Sequence, residues 1–341
     1  MLSNHHAILD GWSNPVLLDF VHTLYSDLQN GNPLTHLRVD ESYTLSQKYL
    51  QENKKTDEQY WKNYITKAQE HADLTGLLLS EQSHIKLNEY KHILKQSETA
   101  FVIQQAAYSK LKDMSGRHGL TINTILQYAW HRTVSIYGNT TTTVVGTTVS
   151  GRNLPVNDIE YSVGLYINTL PLIVDHQNSH TILQTVQQLQ TDINEINTRS
   201  SISLSKLQPG GKRLFDSLFI YENYPTPVGN EKTAQILTEF KGFVEKLDYP
   251  IGIVVQEFEE KIILKFCYAG ELFAQETIED VLETFNTVLL QVVDYPEALS
   301  ESISSLSPAQ YQTIIHTWND TAREYPAHKT IHQLFEEQVE R

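Results

Sequence analysis

The chain has a single cysteine, no long apolar run and few basic residues for its size, and each scarcity removes a class of protein. The lone thiol, Cys267, cannot close an intramolecular disulfide, so a cross-linked secreted scaffold is excluded. It sits in an alternating apolar stretch, residues 261–268, with nothing nearby in sequence to activate it, and reads as a buried structural thiol. No stretch approaches the roughly 18 apolar residues that a membrane-spanning helix needs. Lys and Arg number 26 against 41 Asp and Glu, a formal net charge of −15, and that field repels nucleic-acid backbones and anionic lipid surfaces. Neither nucleic acid nor a membrane is expected as a partner. The first residues lack the basic segment and apolar core of a signal peptide, which makes the cytoplasm the expected compartment.

What is present is ordinary globular composition, 40% hydrophobic and 20% charged over 341 residues, enough to bury the cores of two or three lobes. Residues 2–8 read as a short strand stopped by Asp10-Gly11. After Ser13-Asn14-Pro15, the spacing of Val16, Leu17, Phe20, Val21 and Leu24 predicts a helix. Polar residues 29–55 read as a linker to a helix near 58–65. Further on, helical periodicity at 121–137, 182–196 and 273–293 alternates with strand-like runs at 140–149, 164–174, 217–221, 251–255 and 261–268. The fold class is therefore mixed α/β. From about residue 300 the composition turns to Ser, Pro, Gln and Thr, before a last helical pattern of Ile331, Leu334, Phe335 and Val339.

The densest chemistry lies in His5-His6-Ala7-Ile8-Leu9-Asp10-Gly11. On a strand, neighbouring side chains point to opposite faces, so only one histidine lines any given cavity. That divergence, with no second cluster at ligand spacing, argues against a metal site. Asp10-Gly11 alone is also explained as a strand-ending turn. Tyr60, Trp61 and Trp130 read as core aromatics.

The string His5-His6-Ala7-Ile8-Leu9-Asp10-Gly11-Trp12-Ser13 resembles the active-site motif of condensation domains from nonribosomal peptide synthetases. Further matches follow in the family's order. They are Tyr60-Trp61, Val149-Ser150-Gly151-Arg152, then Val163-Gly164-Leu165-Tyr166-Ile167-Asn168-Thr169-Leu170-Pro171-Leu172, and the strand Asp216 to Tyr221 running into Asn223 and Pro225. Trp318-Asn319-Asp320-Thr321 and residues 330–339 resemble the linker into an adenylation domain and that domain's first helix.

The resemblance implies a chloramphenicol-acetyltransferase-like two-lobed condensation fold with its first lobe incomplete. Residues 1–45 would be the remainder of the N-terminal lobe, 46–299 the C-terminal lobe, and 300–341 the linker and first helix of an adenylation domain. Unpaired edges and apolar surface are then expected over residues 1–45. The implied activity is amide formation between a donor thioester and an acceptor amine, both held on phosphopantetheine arms of upstream and downstream peptidyl carrier domains. No cofactor would be bound by the domain itself.

Among the site residues that the resemblance implies, His6 faces the tunnel, as base or as a positioning group, and His5 is its structural partner. Asp10 pairs with Arg152, and Gly11 shapes the turn, completing a catalytic set of His5, His6, Asp10 and Gly11. Ser13, Asn168 and Asn223 are candidate substrate- or pantetheine-lining residues. The alternatives are an epimerisation domain of the same superfamily, disfavoured by the adenylation-like tail, and an inactive truncated remnant. The chain alone is expected to be inactive outside a complete synthetase.

Overall fold

A computed structural model describes residues 5–33, 39–68, 72–176, 179–222, 247–324 and 326–340. Asn223, among the expected lining residues, lies outside them. The chain divides into two units, Met1–Ile303 and Ser304–Arg341.

The first unit opens with helices α1 (Ser13–Gln29) and α2 (Ser42–Ile65). It continues as β1 (Gln96–Gln104), α3 (Gln105–His118), α4 (Ile122–Gly138), β2 (Thr142–Val149), β3 (Asn168–Asp175), α5 (Ile182–Thr198), a single turn α6 (Leu204–Leu207), β4 (Ser217–Glu222), β5 (Ile251–Glu257), β6 (Lys261–Ala269) and α7 (Gln275–Asp294). The six strands form one mixed sheet in the order β1-β6-β5-β4-β2-β3. β2, β4 and β5 run parallel at its centre, and the outer pairings are antiparallel. The central strands β2 and β5 are apolar or Thr-rich and almost wholly buried, as strands covered on both faces must be.

Helix α4 starts where the Thr121 hydroxyl accepts the Thr124 amide hydrogen at 3.1 Å and packs against α3, α5, α7 and β2. Helix α5 carries a reciprocal cap between Thr181 and Gln184, and the stripe Ile278, Val281, Leu282, Phe285, Val288, Leu289 and Val292 of α7 is buried throughout. Phe266 joins the layers, edge-on to Trp130 at 5.6 Å and to Phe285 at 6.2 Å between ring centroids. Cys267 of β6 is buried beside Leu218, Leu247 and Val254. Within the first unit, α1 leaves Val21, Tyr25 and Leu28 exposed. The second unit holds the short α8 (Pro308–Tyr311), a π-helical stretch (Gln312–Thr317) and α9 (Ile331–Glu340).

Three expectations are corrected. Of the strand expected over residues 2–8, residues 2–4 lie outside the described residues and 6–8 form a turn, because the local backbone is held by the histidine rings described below. The polar stretch read as a linker over 29–55 contains the first half of α2, so the division expected at 45/46 falls inside a helix. In that half Tyr43, Leu45, Tyr49 and Leu50 are spread round the helix among Ser, Thr, Gln and Lys, and so leave no apolar period. The strand expected from 164 begins at Asn168, because residues 164–167 are committed to Asp10.

Two histidines without a motif are core residues. His131 Nδ1 lies 2.7 Å from Thr143 Oγ1, which lies 3.1 Å from His176 Nε2. One hydroxyl proton serves one ring, so the other ring must donate its N–H to the Thr143 oxygen. Burial pushes both imidazoles towards the neutral form. His176, also facing the Arg132 charge, falls to about 3, and His131 falls well below its ordinary range. An unfolded chain takes up protons at these positions below about pH 6.5 while the folded chain does not, so stability must drop as pH falls. Urea denaturation at pH 7.5 and 5.0 should show a lower stability at pH 5.0. The slope should approach roughly 1.4 kcal/mol per pH unit for each histidine, and His176→Gln should flatten it. A profile flat between those pH values in the unmodified chain would contradict this.

Candidate active site

The turn that carries the histidine motif is fixed by Asp10, whose side chain is 1% exposed. Its carboxylate Oδ2 accepts from Arg152 Nη1 at 2.6 Å and from the Tyr166 amide at 3.0 Å. The other oxygen, Oδ1, accepts from Arg152 Nη2 at 3.2 Å and from the Ser13 amide at 2.9 Å. The guanidinium is thus bidentate on the acid, the geometry that makes such pairs strong and directional. Arg152 is 3% exposed at its side chain and also donates to the Ser162 carbonyl at 3.2 Å. Its Cζ lies 4.2 Å from the Tyr166 ring centroid and 5.6 Å from that of Trp12. Burial alone would raise the Asp10 carboxyl; the Arg152 hydrogen bond, the Tyr166 amide, the Arg152 charge and Ser13 outweigh it and hold the group below the usual carboxylate range.

Ser13, expected as a lining residue, is fully buried within this network. Its Oγ lies 2.8 Å from both Asp10 Oδ1 and the Gly164 carbonyl, and accepts the Gly164 amide hydrogen at 3.0 Å. The start of α1 is thereby stitched to the segment before β3. Asn168, the other described lining candidate, is also committed elsewhere. Its Nδ2 donates to the carbonyls of Ser200 and Ile202, each at 2.8 Å, and its Oδ1 accepts from the Thr169 amide. This strand-end asparagine spends both amide hydrogens on backbone carbonyls and so holds a loop.

A second carboxylate, invisible to motif reading, supports the first. Asp40 accepts from Ser162 Oγ at 2.6 Å and from the Val163 amide at 3.1 Å, and Ser162 Oγ is 2.5 Å from the Tyr166 hydroxyl. It ties the chain just before α2 to the loop that supplies the Arg152 and Asp10 contacts. Its only sequence signal is an Asp two residues ahead of the Ser42 helix start, where it accepts the Ser42 amide hydrogen.

His5 and His6 are exposed, and Gly11 lies half-buried in the turn leading into α1. The backbone assigns the histidines' tautomers. His6 Nδ1 is 2.8 Å from the Leu9 carbonyl, which only accepts, so Nδ1 carries the hydrogen and a neutral His6 offers Nε2 as a proton acceptor. His5 Nδ1 accepts the Ala7 amide hydrogen at 3.1 Å and is spent on the turn. The two rings thus differ in role through local hydrogen bonding, and not through strand alternation. Among the described residues no group of three or more His, Cys, Asp or Glu is arranged to hold a metal ion, and no helix is long and apolar enough to cross a membrane.

A cleft of about 660 Å³ runs from Asp10, Trp12 and Arg152 past β2 to Tyr221 and Glu257, with Lys112 and the first turn of α4 on its wall. That volume suits a small-molecule chain.

The mixed sheet thus carries a cleft beside a buried Asp-Arg pair, and the turn that the pair anchors carries His6, which is exposed and not among the residues lining that cleft. The family model described as a condensation domain matches residues 1–315, and the chain belongs to that family. It is 37% identical over 350 residues to an N-(5-amino-5-carboxypentanoyl)-L-cysteinyl-D-valine synthase of Amycolatopsis lactamdurans, covering 100% of this chain and 10% of that protein. It is 28% identical over 348 residues to bacitracin synthase 3 of Bacillus licheniformis, covering 99% of this chain and 5% of that protein. The chain therefore spans a tenth or less of the length of these curated relatives. Among solved structures it is similar to the first condensation domain of the calcium-dependent antibiotic synthetase, with a TM-score of 0.68, 16% identity, and coverage of 89% of this chain and 66% of that one. A four-domain nonribosomal peptide synthetase bound to AMP and glycine aligns with a TM-score of 0.61 and 17% identity, over 89% of this chain and 24% of that one. The fold is thus the chloramphenicol-acetyltransferase-like fold of condensation domains.

Gly151 lets Arg152 reach Asp10. Its φ is +65°, and a Cβ there would lie 2.1 Å from the Tyr166 carbonyl oxygen, whereas Gly119 shares the positive φ with nothing within 4 Å. Gly119→Ala measures backbone strain alone, about 1 kcal/mol. Gly151→Ala should cost more, adding roughly 1–3 kcal/mol for the clash, as read from urea midpoints. Equal costs would contradict the close approach.

Proposed function

We propose that this chain performs amide synthesis inside a multidomain nonribosomal peptide synthetase. An acceptor amine attacks the carbonyl of a donor thioester, the C–N bond forms, and the C–S bond breaks to release the donor thiol. The observation that carries this reading is the fixed tautomer of His6. With Nδ1–H on the Leu9 carbonyl, Nε2 takes the proton that the amine nitrogen loses, or orients that amine by accepting its hydrogen bond. An α-amino group has a pKa near about 7.7–8.0, so a strong base is not required. Asp10 and Arg152 are positioning residues in this reading. They hold the turn and touch no reacting atom.

Both substrates would arrive on phosphopantetheine arms of upstream and downstream peptidyl carrier domains, and the domain would bind no cofactor of its own. The second unit, with α9, is read as the linker and first helix of an adenylation domain. The single cysteine suits work in the reducing cytoplasm. The relatives named for an N-(5-amino-5-carboxypentanoyl) product support a donor whose acyl chain ends in a free amino-acid head group.

In a complete module, His6→Ala should lower amide formation from loaded carrier domains roughly 10²- to 10⁴-fold, with little change in the urea midpoint because the ring is exposed. Full activity of that variant would contradict the assignment. The isolated 341-residue chain should form no product with the same carriers, and dipeptide formation by it would overturn the dependence on a larger assembly.

A further inference from the structure

The cleft has a second charged cluster, at the end away from Asp10, that amide synthesis itself does not use. Lys112 of α3 and Glu257 at the end of β5 form an ion pair, Nζ to Oε1 2.7 Å, and the Tyr221 hydroxyl donates to the other Glu257 oxygen. All three residues line the same cleft as Trp12 and Arg152. Lys112 is 50% exposed at its side chain and Glu257 24% exposed. A pair this open contributes little to stability, so its value as a tether between α3 and β5 is small.

We infer that Lys112 and Glu257 are a specificity subsite for a zwitterionic amino-acid head group on the donor acyl chain. Two opposite charges about one hydrogen bond apart match a group whose ammonium and carboxylate share a carbon. Docked antiparallel, the carboxylate meets Lys112 and the ammonium meets Glu257, while the existing pair stays close. The first turn of α4, residues Thr121, Ile122 and Asn123, opens on the same cleft, and the positive end of that helix favours the carboxylate further. The charge balance of the chain points the same way. A net charge of −15 repels an anionic ligand overall, whereas a zwitterion carries no net charge and answers only to local fields. Both groups are held ionised. Burial would raise the Glu257 carboxyl, but the Lys112 and Tyr221 hydrogen bonds bring it below the ordinary range, and the hydrogen bond to Glu257 raises Lys112.

This inference rests on the acyl class proposed above, and the test separates the two. The whole chain would be titrated calorimetrically with four soluble pantetheine amides: 5-amino-5-carboxypentanoyl, 5-carboxypentanoyl lacking the amine, 5-aminopentanoyl lacking the carboxyl, and plain pentanoyl. The zwitterionic probe should bind roughly tenfold more tightly than each of the others. Lys112→Gln should erase the preference over the carboxyl-free probe while keeping the preference over the amine-free one, and Glu257→Gln should do the reverse. Both side chains are partly exposed, so circular dichroism of the variants should match the parent. Equal binding of all four probes would overturn the subsite and leave amide synthesis standing. Binding of none would overturn both the subsite and the donor acyl class proposed above.

Discussion

One buried ion pair holds together the motif turn, the start of α1 and the loop between β2 and β3. Asp10 belongs to the N-terminal turn and Arg152 to the loop after β2, 142 residues apart in sequence, and the sheet architecture serves to bring them together. Removing two charges from water costs several kcal/mol for each ion, and Coulomb attraction repays this only when the remaining donors and lone pairs are satisfied as well. That requirement explains most of the surroundings, although Arg152 Nε is buried with no hydrogen-bond partner among the described residues. The Tyr166 and Ser13 amides complete the carboxylate, the Ser162 carbonyl takes a guanidinium hydrogen, and the Tyr166 ring covers the guanidinium face. These partners come from two stretches of chain, Ser13 at the start of α1 and Ser162 to Tyr166 before β3, so satisfying the pair fixes both against the loop after β2.

The histidines benefit from this without taking part in it. An exposed turn of five residues would ordinarily sample many conformations. Here its C-terminal end is pinned by Asp10, and its interior is closed by the two ring nitrogens against Leu9 and Ala7. The consequence is chemical as well as structural, since the carbonyl of Leu9 decides which nitrogen of His6 carries hydrogen. The ion pair thereby anchors the turn on which that tautomer is set.

Much of this was legible in the sequence, for identifiable reasons. Helices α4, α5 and α7 announce themselves because their apolar residues recur at helical spacing and end up buried. Strands β2, β5 and β6 are legible because β-branched residues suit a covered sheet. β1 escapes because it is an edge strand in which only Ile103 is buried, so alternation is masked by Gln, Ser, Glu and Thr. The first half of α2 escapes because a polar helix has no period to read. At the site, family resemblance pairs Asp10 with Arg152, but residue type alone cannot say that Ser13 and Asn168 face inwards to backbone. Asp40 shows in sequence only as a helix-start acid ahead of Ser42, because its partners at the site lie more than 100 residues away in the Ser162-Val163 loop.

Asp10 and Arg152 act as one unit that holds the motif turn. The direct measurement is a double-mutant cycle on urea unfolding with Asp10→Ala, Arg152→Ala and the double variant. A unit predicts single losses of roughly 3–5 kcal/mol each, because a lone partner is left as an uncompensated buried charge. The double loss should fall short of their sum by at least about 2 kcal/mol. Losses that simply add would mean that the two side chains stabilise the fold independently, and the turn would then owe its position to something other than their pairing.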